Sequence, residues 1–506
     1  MTIKSDNKYF LSSLFWSTLS KVLNAIFGFI YVPLLLSYFG KVEYGLLSIA
    51  TACNGYMQLM DLGMNTGATK FFSQWEAEGK REMVHRVSRT NVTFYFIISL
   101  INILGLLILA FWGEGLFSIS HEQFEQLRIC FLILVLFSSI NWVTTAYSQL
   151  LTAYRKLDFT MKVQSILVLL KGGLIALVLI MGLSLIQYFF YLTLLVSIAI
   201  IPYAIKCKKD NLIDTLKPAT YWRDFKIVFS FSLSIFALSL FQVTATQSRP
   251  ILLSIFSTDG AGAVADFRII EVIPQFIITV CGTLTSIFLP KSSEMLIKSS
   301  KIEIQNYIKK WTTKTTVLVC IFCFPFIVGA KNILGAYVGS DFVYLSVWLQ
   351  LWCLFLIIQM HSTPAFSFVL SHGKTKVLVY TTAVACILSM IVNSVLCNVI
   401  PVGSAVVGYI VYMLCLIGVY YGYLYRKYLA LDGWQIFTSF LKPMLIGLFC
   451  CIVPIYFNID NMISTDVLNS RMVFVLEFLV KVLAWLIPFM FLLNITKIFN
   501  FKISRQ

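Results

Sequence analysis

Runs of about twenty apolar residues, the length that crosses the hydrocarbon core of a bilayer as a helix, recur along almost the whole chain. They fall near 10–38, 44–66, 90–112, 127–150, 163–183, 186–205, 227–256, 263–290, 315–332, 343–370, 377–397, 403–424, 443–458 and 473–494. Polar and charged residues collect in the short stretches between them. The pattern predicts an all-α polytopic membrane protein of about 14 transmembrane helices. An even number of crossings puts both termini on one face.

The stretches between the runs differ in charge. Loops on the side of the N-terminus carry 30 of the 39 Lys and Arg residues, among them the segments Lys70–Arg89, Lys206–Lys226, Lys291–Lys314 and Arg426–Lys442. The opposite side carries Lys41, Arg128, Lys331 and Arg471, and five basic residues lie inside spans. Positive residues stay on the cytoplasmic side during insertion, so both termini are expected in the cytoplasm. Composition agrees, with 59% hydrophobic and only 12% charged residues. The net charge of +16 then needs no nucleic acid partner, because basic loops facing anionic headgroups produce such a balance. The apolar run after MTIKSDNKYF continues to Phe39. That is too long for the core of a cleavable leader, so it is expected to remain as a span.

One phrase occurs twice. VPLLLSYFGKVEYG at 32–45 returns as RPILLSIFSTDGAG at 249–262, with Pro33, Leu35, Leu36, Ser37, Phe39 and Gly45 matched by Pro250, Leu252, Leu253, Ser254, Phe256 and Gly262. The copies close the first and the seventh span. Six helices separate them, so both halves must share one orientation, which describes a parallel repeat about an axis along the membrane normal. Two six-helix lobes are expected, 1–210 and 211–425, with a cavity between them and alternating access by rocking. Residues 426–506 fall outside the repeat. Their last two spans, within 443–506, are expected to form a detachable helix pair.

Little in the chain points to bond chemistry. No GxxxxGK[ST], HExxH or GxSxG motif occurs, and the expected external loops are too short to build a catalytic domain. The 12 cysteines lie mostly in apolar spans, where packing is their ordinary role, and neither a metal site nor a cofactor is expected. A transporter without its own fuel domain, not an enzyme, is the leading class.

Longer stretches carry a resemblance. LLSYFGKVEYGLLSIATACNGYMQLMDLGMNTGATKFFSQW, GAGAVADFRIIEVIPQFIITVCGTLTSIFLPKSSE and LSHGKTKVLVYTTAVACILSMIVNSVLCNVIPVGSAVVGYIV resemble, in order, segments of bacterial polysaccharide-export flippases. These form the O-antigen and lipid-linked oligosaccharide branch of the multidrug/oligosaccharidyl-lipid/polysaccharide exporter superfamily. The resemblance spans roughly residues 10–425. It implies a MATE-like fold and movement of an undecaprenyl-diphosphate-linked oligosaccharide between leaflets of a bacterial inner membrane. Membrane lipids are implied partners, as are a polymerase and a chain-length regulator. The branch commonly has twelve helices, and the additional pair here is a departure shared with the fourteen-helix lipid flippase of peptidoglycan synthesis, in which it forms a lipid groove.

Such a substrate needs cations where hydrocarbon would otherwise exclude its diphosphate. Lys21 and Lys171 in the first lobe, with Arg249 and Arg268 in the second, are the candidate substrate-binding residues, since a charge at span depth normally faces a cavity or a partner. Neutralisation by Asp266 or Glu271 is the competing role for Arg249 and Arg268. Glu477 and Lys481, at i,i+4, read as structural. Asp61, Asp266, Glu271 and His361 are the titratable groups open to proton coupling, and the carboxylates among them to sodium. Asp61 also stands near a helix end, where a solvated cap is an alternative. Tyr412, Tyr420, Tyr421, Tyr423 and Tyr425 are expected mostly as interfacial anchors. Two rival functions share the composition: a multidrug cation antiporter of the same fold, and an integral membrane polymerase or ligase.

Overall fold

The computed structural model describes residues 3–212, 217–371, 375–457, 470–496 and 498. The expected loop lysines Lys374 and Lys497, and most of the loop after the thirteenth expected span, lie outside the described residues. Among the described residues there is no β-strand, and eleven helices are long and apolar enough to cross a membrane. The protein is a multi-pass helical membrane protein. Contacts along the chain group it into two compact units, Met1–Ala265 and Asp266–Gln506.

The first unit opens with α1 (Ile3–Met57), which holds two expected spans in one run of helix. They are parted at Gly40, whose φ of 82° and ψ of 172° lie where a side chain is rarely tolerated. A 3-10 turn at Gln58–Asp61 follows, then left-handed residues Leu62 and Gly63, then α2 (Met64–Ala77). The chain continues through α3 (Arg81–Trp112), α4 (His121–Ala153), α5 (Leu157–Met181), α6 (Leu185–Ser197), α7 (Ile200–Lys209) and α8 (Trp222–Phe256). Ser120 and Ser184 begin α4 and α6 with reciprocal capping boxes to Gln123 and Gln187. These fill amide donors that have no partner within the helix. The core is a packed set of aromatic and branched side chains including Phe72, Val84, Tyr95, Leu150, Tyr203 and Val228.

Helix α8, expected to open the second lobe, is fixed to this unit near both ends. At its start Thr93 donates to the carbonyl of Ala219 at 2.6 Å, Thr90 accepts from the amide of Tyr221 at 3.0 Å, and Arg86 lies 3.5 Å from Asp224. At its other end the amide of Ser118 donates to the carbonyl of Ser254 at 2.7 Å, and just beyond it the amide of Gly260 donates to the carbonyl of Ser118 at 2.9 Å. Between these, Gly63 and Gly67 of the α2 start lie against Ser232 so closely that a Cβ at either would collide.

The second unit takes most of α9 (Gly260–Lys298), then α10 (Lys301–Val328), α11 (Ala330–Tyr337), a 3-10 segment Ser340–Leu345 and α12 (Ser346–Met360). It ends with α13 (Thr363–Ser371), α14 (Thr375–Leu396), α15 (Pro401–Val419), α16 (Tyr425–Leu429), α17 (Gly433–Cys450), α18 (Ile452–Tyr456) and α19 (Ser470–Ile495). A π-helical turn, Tyr420–Leu424, joins α15 to α16. Here the structure corrects the aromatic expectation. The π turn rotates the register so that Tyr420 and Tyr425 turn inward, the former stacking on Phe366, and Tyr412 is buried with them. Only Tyr421 and Tyr423 of the five retain substantial exposure.

The last two long helices, α17 and α19, pack closely against α10 and α11. Trp485 on α19 donates to the carbonyl of Gly447 on α17 at 2.9 Å and stacks on Phe324 of α10 with ring centres 5.0 Å apart. Gly329 and Gly335 meet Phe478 and Phe474 of α19 without room for a Cβ. A buried polar chain completes the junction: Lys481 donates to Asn332 at 2.8 Å, and Asn332 donates to Glu477 at 2.6 Å. Buried polar groups between helices need such partners, and these hold the helices in register.

Candidate functional site

The end of α1 and the start of α2 place Asn54, Gln58, Asp61 and Asn65 along one wall of a cavity of about 390 Å³ in the first unit. Opposite stand Ser138, Asn141 and Thr145 of α4, at i, i+3 and i+7, together with Asn102 of α3. Only Leu134 and Trp142 complete the lining as apolar residues. A polar cavity among membrane-spanning helices is costly unless it holds water, an ion or a ligand.

Asp61 is the one carboxylate in that wall. Its Oδ1 accepts from the Tyr95 hydroxyl at 2.5 Å, and its Oδ2 accepts from the amide of Asn65 at 3.1 Å, capping α2. Tyr95 in turn accepts from Gln149 Nε2 at 2.5 Å, and Gln149 accepts from Asn91 at 2.7 Å. Asn91, Tyr95 and Gln149 are all buried, and the Tyr95 ring stacks on Trp142. The chain of donors runs from the core of α3 and α4 to the cavity wall and fixes the carboxylate's orientation. Neighbouring it, Ser138 donates to Asn102 at 2.7 Å, while the other end of the buried Asn102 amide has no partner. The wall thus offers one carboxylate and several amide and hydroxyl oxygens, a set that suits a proton or a hard monovalent cation.

The DLG sequence at 61–63 therefore does two jobs. Asp61 caps α2 and faces the cavity, and Gly63, at φ 74°, permits both the turn and the close approach of α8. Tyr95, Gln149, Asn91, Asn102 and Asn141 are the residues that sequence reading passes over. Their signal was the spacing of polar residues within apolar runs.

The other candidates are distributed as follows. Lys21 is exposed on α1 and Lys171 half-buried on α5, helices that pack together. Arg249 is 4% exposed and precedes Pro250 inside α8. In the second unit Arg268 donates to Glu271 one turn on, and Asp266 accepts from Tyr344 at 2.6 Å. His361 is buried at the break between α12 and α13. Its Nδ1 meets the carbonyl of Ile358, its Nε2 lies 2.7 Å from the Tyr421 hydroxyl, and its ring stacks on Phe440 of α17. No group of three or more His, Cys, Asp or Glu able to hold a metal ion occurs among the described residues.

The sequence model of the family described as polysaccharide biosynthesis protein matches residues 10–296, more than half of the chain and the whole of this cavity. The chain belongs to that family. The fold agrees. A multidrug resistance MATE family transporter of the MOP superfamily, in an inward-facing conformation, aligns with a TM-score of 0.65 at 13% identity, covering 81% of this chain and 95% of its own. The lipid II flippase MurJ, inward closed, aligns at 0.63 and 15% identity, covering 97% of this chain and 99% of its own. The Vibrio cholerae MATE transporter VcmN aligns at 0.52 and 13% identity, covering 87% and 98%. A search of curated proteins finds no match. This chain thus shares a fold with transporters, and here the fold carries a polar cavity among its helices.

Proposed function

We propose that the protein is a flippase that moves an undecaprenyl-diphosphate-linked oligosaccharide from the inner to the outer leaflet of a bacterial plasma membrane. One observation carries this reading beyond transport in general: how far along the chain each fold extends. The MATE transporter covers 81% of the chain, whereas the lipid II flippase covers 97%. The 3% left outside the second alignment is too short to hold α17 to α19. The C-terminal helices therefore belong to a fold shared with a protein that flips a lipid.

Two six-helix lobes, 1–210 and 211–425, alternate access, with both termini in the cytoplasm. Lys21, Lys171, Arg249 and Arg268 hold the anionic head group. Asp61 is the leading coupling group, for a proton or sodium, with Asp266, Glu271 and His361 as the others. The protein makes and breaks no glycosidic bond; a polymerase and a chain-length regulator act on what it delivers.

The test is reconstitution into vesicles with a fluorescent undecaprenyl-diphosphate oligosaccharide. Accelerated appearance of the label in the far leaflet is expected. Glycan bond formation without movement would replace this reading by a polymerase or ligase. A multidrug cation antiporter is the second reading, favoured by the Asp61 carboxylate in the cavity wall, and ethidium extrusion without lipid movement would select it.

A further inference from the structure

The Asp61 cavity is larger than a single ion requires. Its volume of about 390 Å³ corresponds to about thirteen waters at roughly 30 Å³ each. An ion held directly by side chains needs a small part of that. The two sides of the cavity also differ in what they offer. The carboxylate stands on the side built by the end of α1 and the start of α2. On the side built by α3 and α4, Asn102 Oδ1 accepts from Ser138 at 2.7 Å, and Asn141 Oδ1 accepts from Ser197 of α6 at 2.9 Å. Both amides have turned their oxygens to protein, and their NH2 groups are what remains for the cavity. Asn102 is 2% exposed, and its Nδ2 has no hydrogen-bond partner among the described residues. Such a buried donor is matched by an acceptor oxygen, which a cation does not supply.

An aromatic surface lies beside these donors. Trp142 follows Asn141 on α4 and lines the cavity, and its ring stacks on Tyr95 with centres 5.9 Å apart, which fixes the indole in place. Amide donors next to an aromatic ring complement a sugar, whose hydroxyl oxygens accept and whose C–H face is apolar. Charge narrows the class of sugar. Among the described residues no basic side chain lines the cavity, so a sugar carboxylate there would meet Asp61 with no cation between them, a repulsion that selects against it.

We infer that this cavity seats one uncharged sugar ring, with Asn102 and Asn141 donating to its hydroxyl or N-acetyl oxygens, Trp142 against its C–H face and Asp61 across from it. That the ring belongs to a lipid-linked glycan rests on the flippase reading; that the cavity takes a sugar does not.

The test uses the purified full-length protein in detergent and follows its tryptophan emission, with Trp142→Phe as the reference. The probes are the methyl glycosides of glucose, galactose, mannose, N-acetylglucosamine, N-acetylgalactosamine and glucuronic acid, each taken to about 100 mM, a range that reaches weak affinities. At least one of the five uncharged glycosides should change the emission saturably, and Trp142→Phe should lose that change. The glucuronide should need at least about tenfold more. Asn102→Leu should raise the half-saturating concentration about tenfold, the scale of one or two lost hydrogen bonds. Asn141→Leu reads the second amide in the same way and keeps the test decisive if Asn102→Leu fails to fold. Movement of the fluorescent lipid-linked oligosaccharide is measured on vesicles made from the same preparations. Sugar binding without lipid movement would end the flippase reading and leave the site standing. No saturable response to any uncharged glycoside, an equal response to the glucuronide, or an unchanged half-saturating concentration in the folded amide variants would each overturn the sugar site, whether or not the lipid moves.

Discussion

Gly45 of α1 meets the backbone of Ala261 at the start of α9 so closely that a Cβ at Gly45 would collide with the Ala261 carbonyl. The two residues belong to the two copies of the repeated phrase, so the repeat marks a helix crossing. Each copy closes one helix, breaks, and starts the next: at Gly40 in the first copy, between Phe256 and Gly260 in the second. Gly45→Ala should destabilise the protein by about 1–3 kcal/mol, because backbone cannot yield as a flexible side chain does. Gly28 has nothing within 4 Å of its missing Cβ. Melting curves of Gly45→Ala and Gly28→Ala in detergent check this, the second variant being expected within about 0.5 kcal/mol of the parent. Equal stability of the two would remove the crossing from the account.

Much of the fold was legible because hydrophobic runs of spanning length are strong signals, and eleven helices among the described residues are long and apolar enough to cross a membrane. The breaks inside spans were less so. The break at His361–Ser362 coincides with the polar segment HSTP, which ends in the α13 proline, whereas the Tyr420–Leu424 π turn interrupts a run that no proline or charge marks. Asp61 was found by its charge. Tyr95 and Gln149 were not, since their role depends on α3 lying beside α4, and residues 54 apart in sequence reveal their pairing only once the helices are packed.

Asp61 and Tyr95 can be separated by mutation. Asp61→Asn keeps an oxygen for the α2 cap but loses the charge, so transport driven by an imposed ion gradient should fall at least tenfold, on the order expected for losing a charge-assisted contact. Tyr95→Phe leaves the carboxylate and removes one donor, with a smaller loss of about threefold. Both should reach the membrane at parental levels. Transport by Asp61→Asn that still responds fully to the gradient would exclude Asp61 as the coupling group.

Orientation is testable at two lysines near opposite ends of α10. Most of the 12 cysteines are buried, which eases building a cysteine-free background. In intact cells Lys331→Cys should react with a membrane-impermeant maleimide and Lys301→Cys should not. The reverse pattern would invert the topology and place the basic loops outside.

Removing residues 443–506 should abolish detergent-stable protein. The truncation strips Asn332 of the Glu477 and Lys481 partners that satisfy it at membrane depth and leaves Phe324 without its stacked Trp485. Each buried hydrogen bond lost costs about 0.5–1.5 kcal/mol, before any lost packing is counted. Size-exclusion profiles of a fluorescent fusion measure the outcome, and a monodisperse truncated protein would show that the twelve-helix core stands alone.

Arg249 combines nearly complete burial with a position one residue before the helix proline of α8. Proline supplies no backbone donor and leaves the carbonyl one turn earlier without its usual partner, which makes the stretch a natural place for a ligand. A guanidinium stays charged when dehydrated and presents two parallel donors to a phosphate or acidic sugar. If it holds the substrate, Arg249→Ala should abolish surface polysaccharide with membrane protein level unchanged. Arg249→Lys, which keeps the charge and loses the fork, should restore part of the output if the contact is bidentate and nearly all of it if only the potential matters. A purely structural role gives another pattern, in which protein level falls together with polysaccharide and a neutralising change at an acid restores both. Glu271 accepts from Arg268 and Asp266 from Tyr344. Under the substrate role, neither Glu271→Gln nor Asp266→Asn rescues Arg249→Ala. Polysaccharide and protein must be measured on the same cells, and normal polysaccharide in Arg249→Ala, or full rescue by either acid change, would end the substrate role.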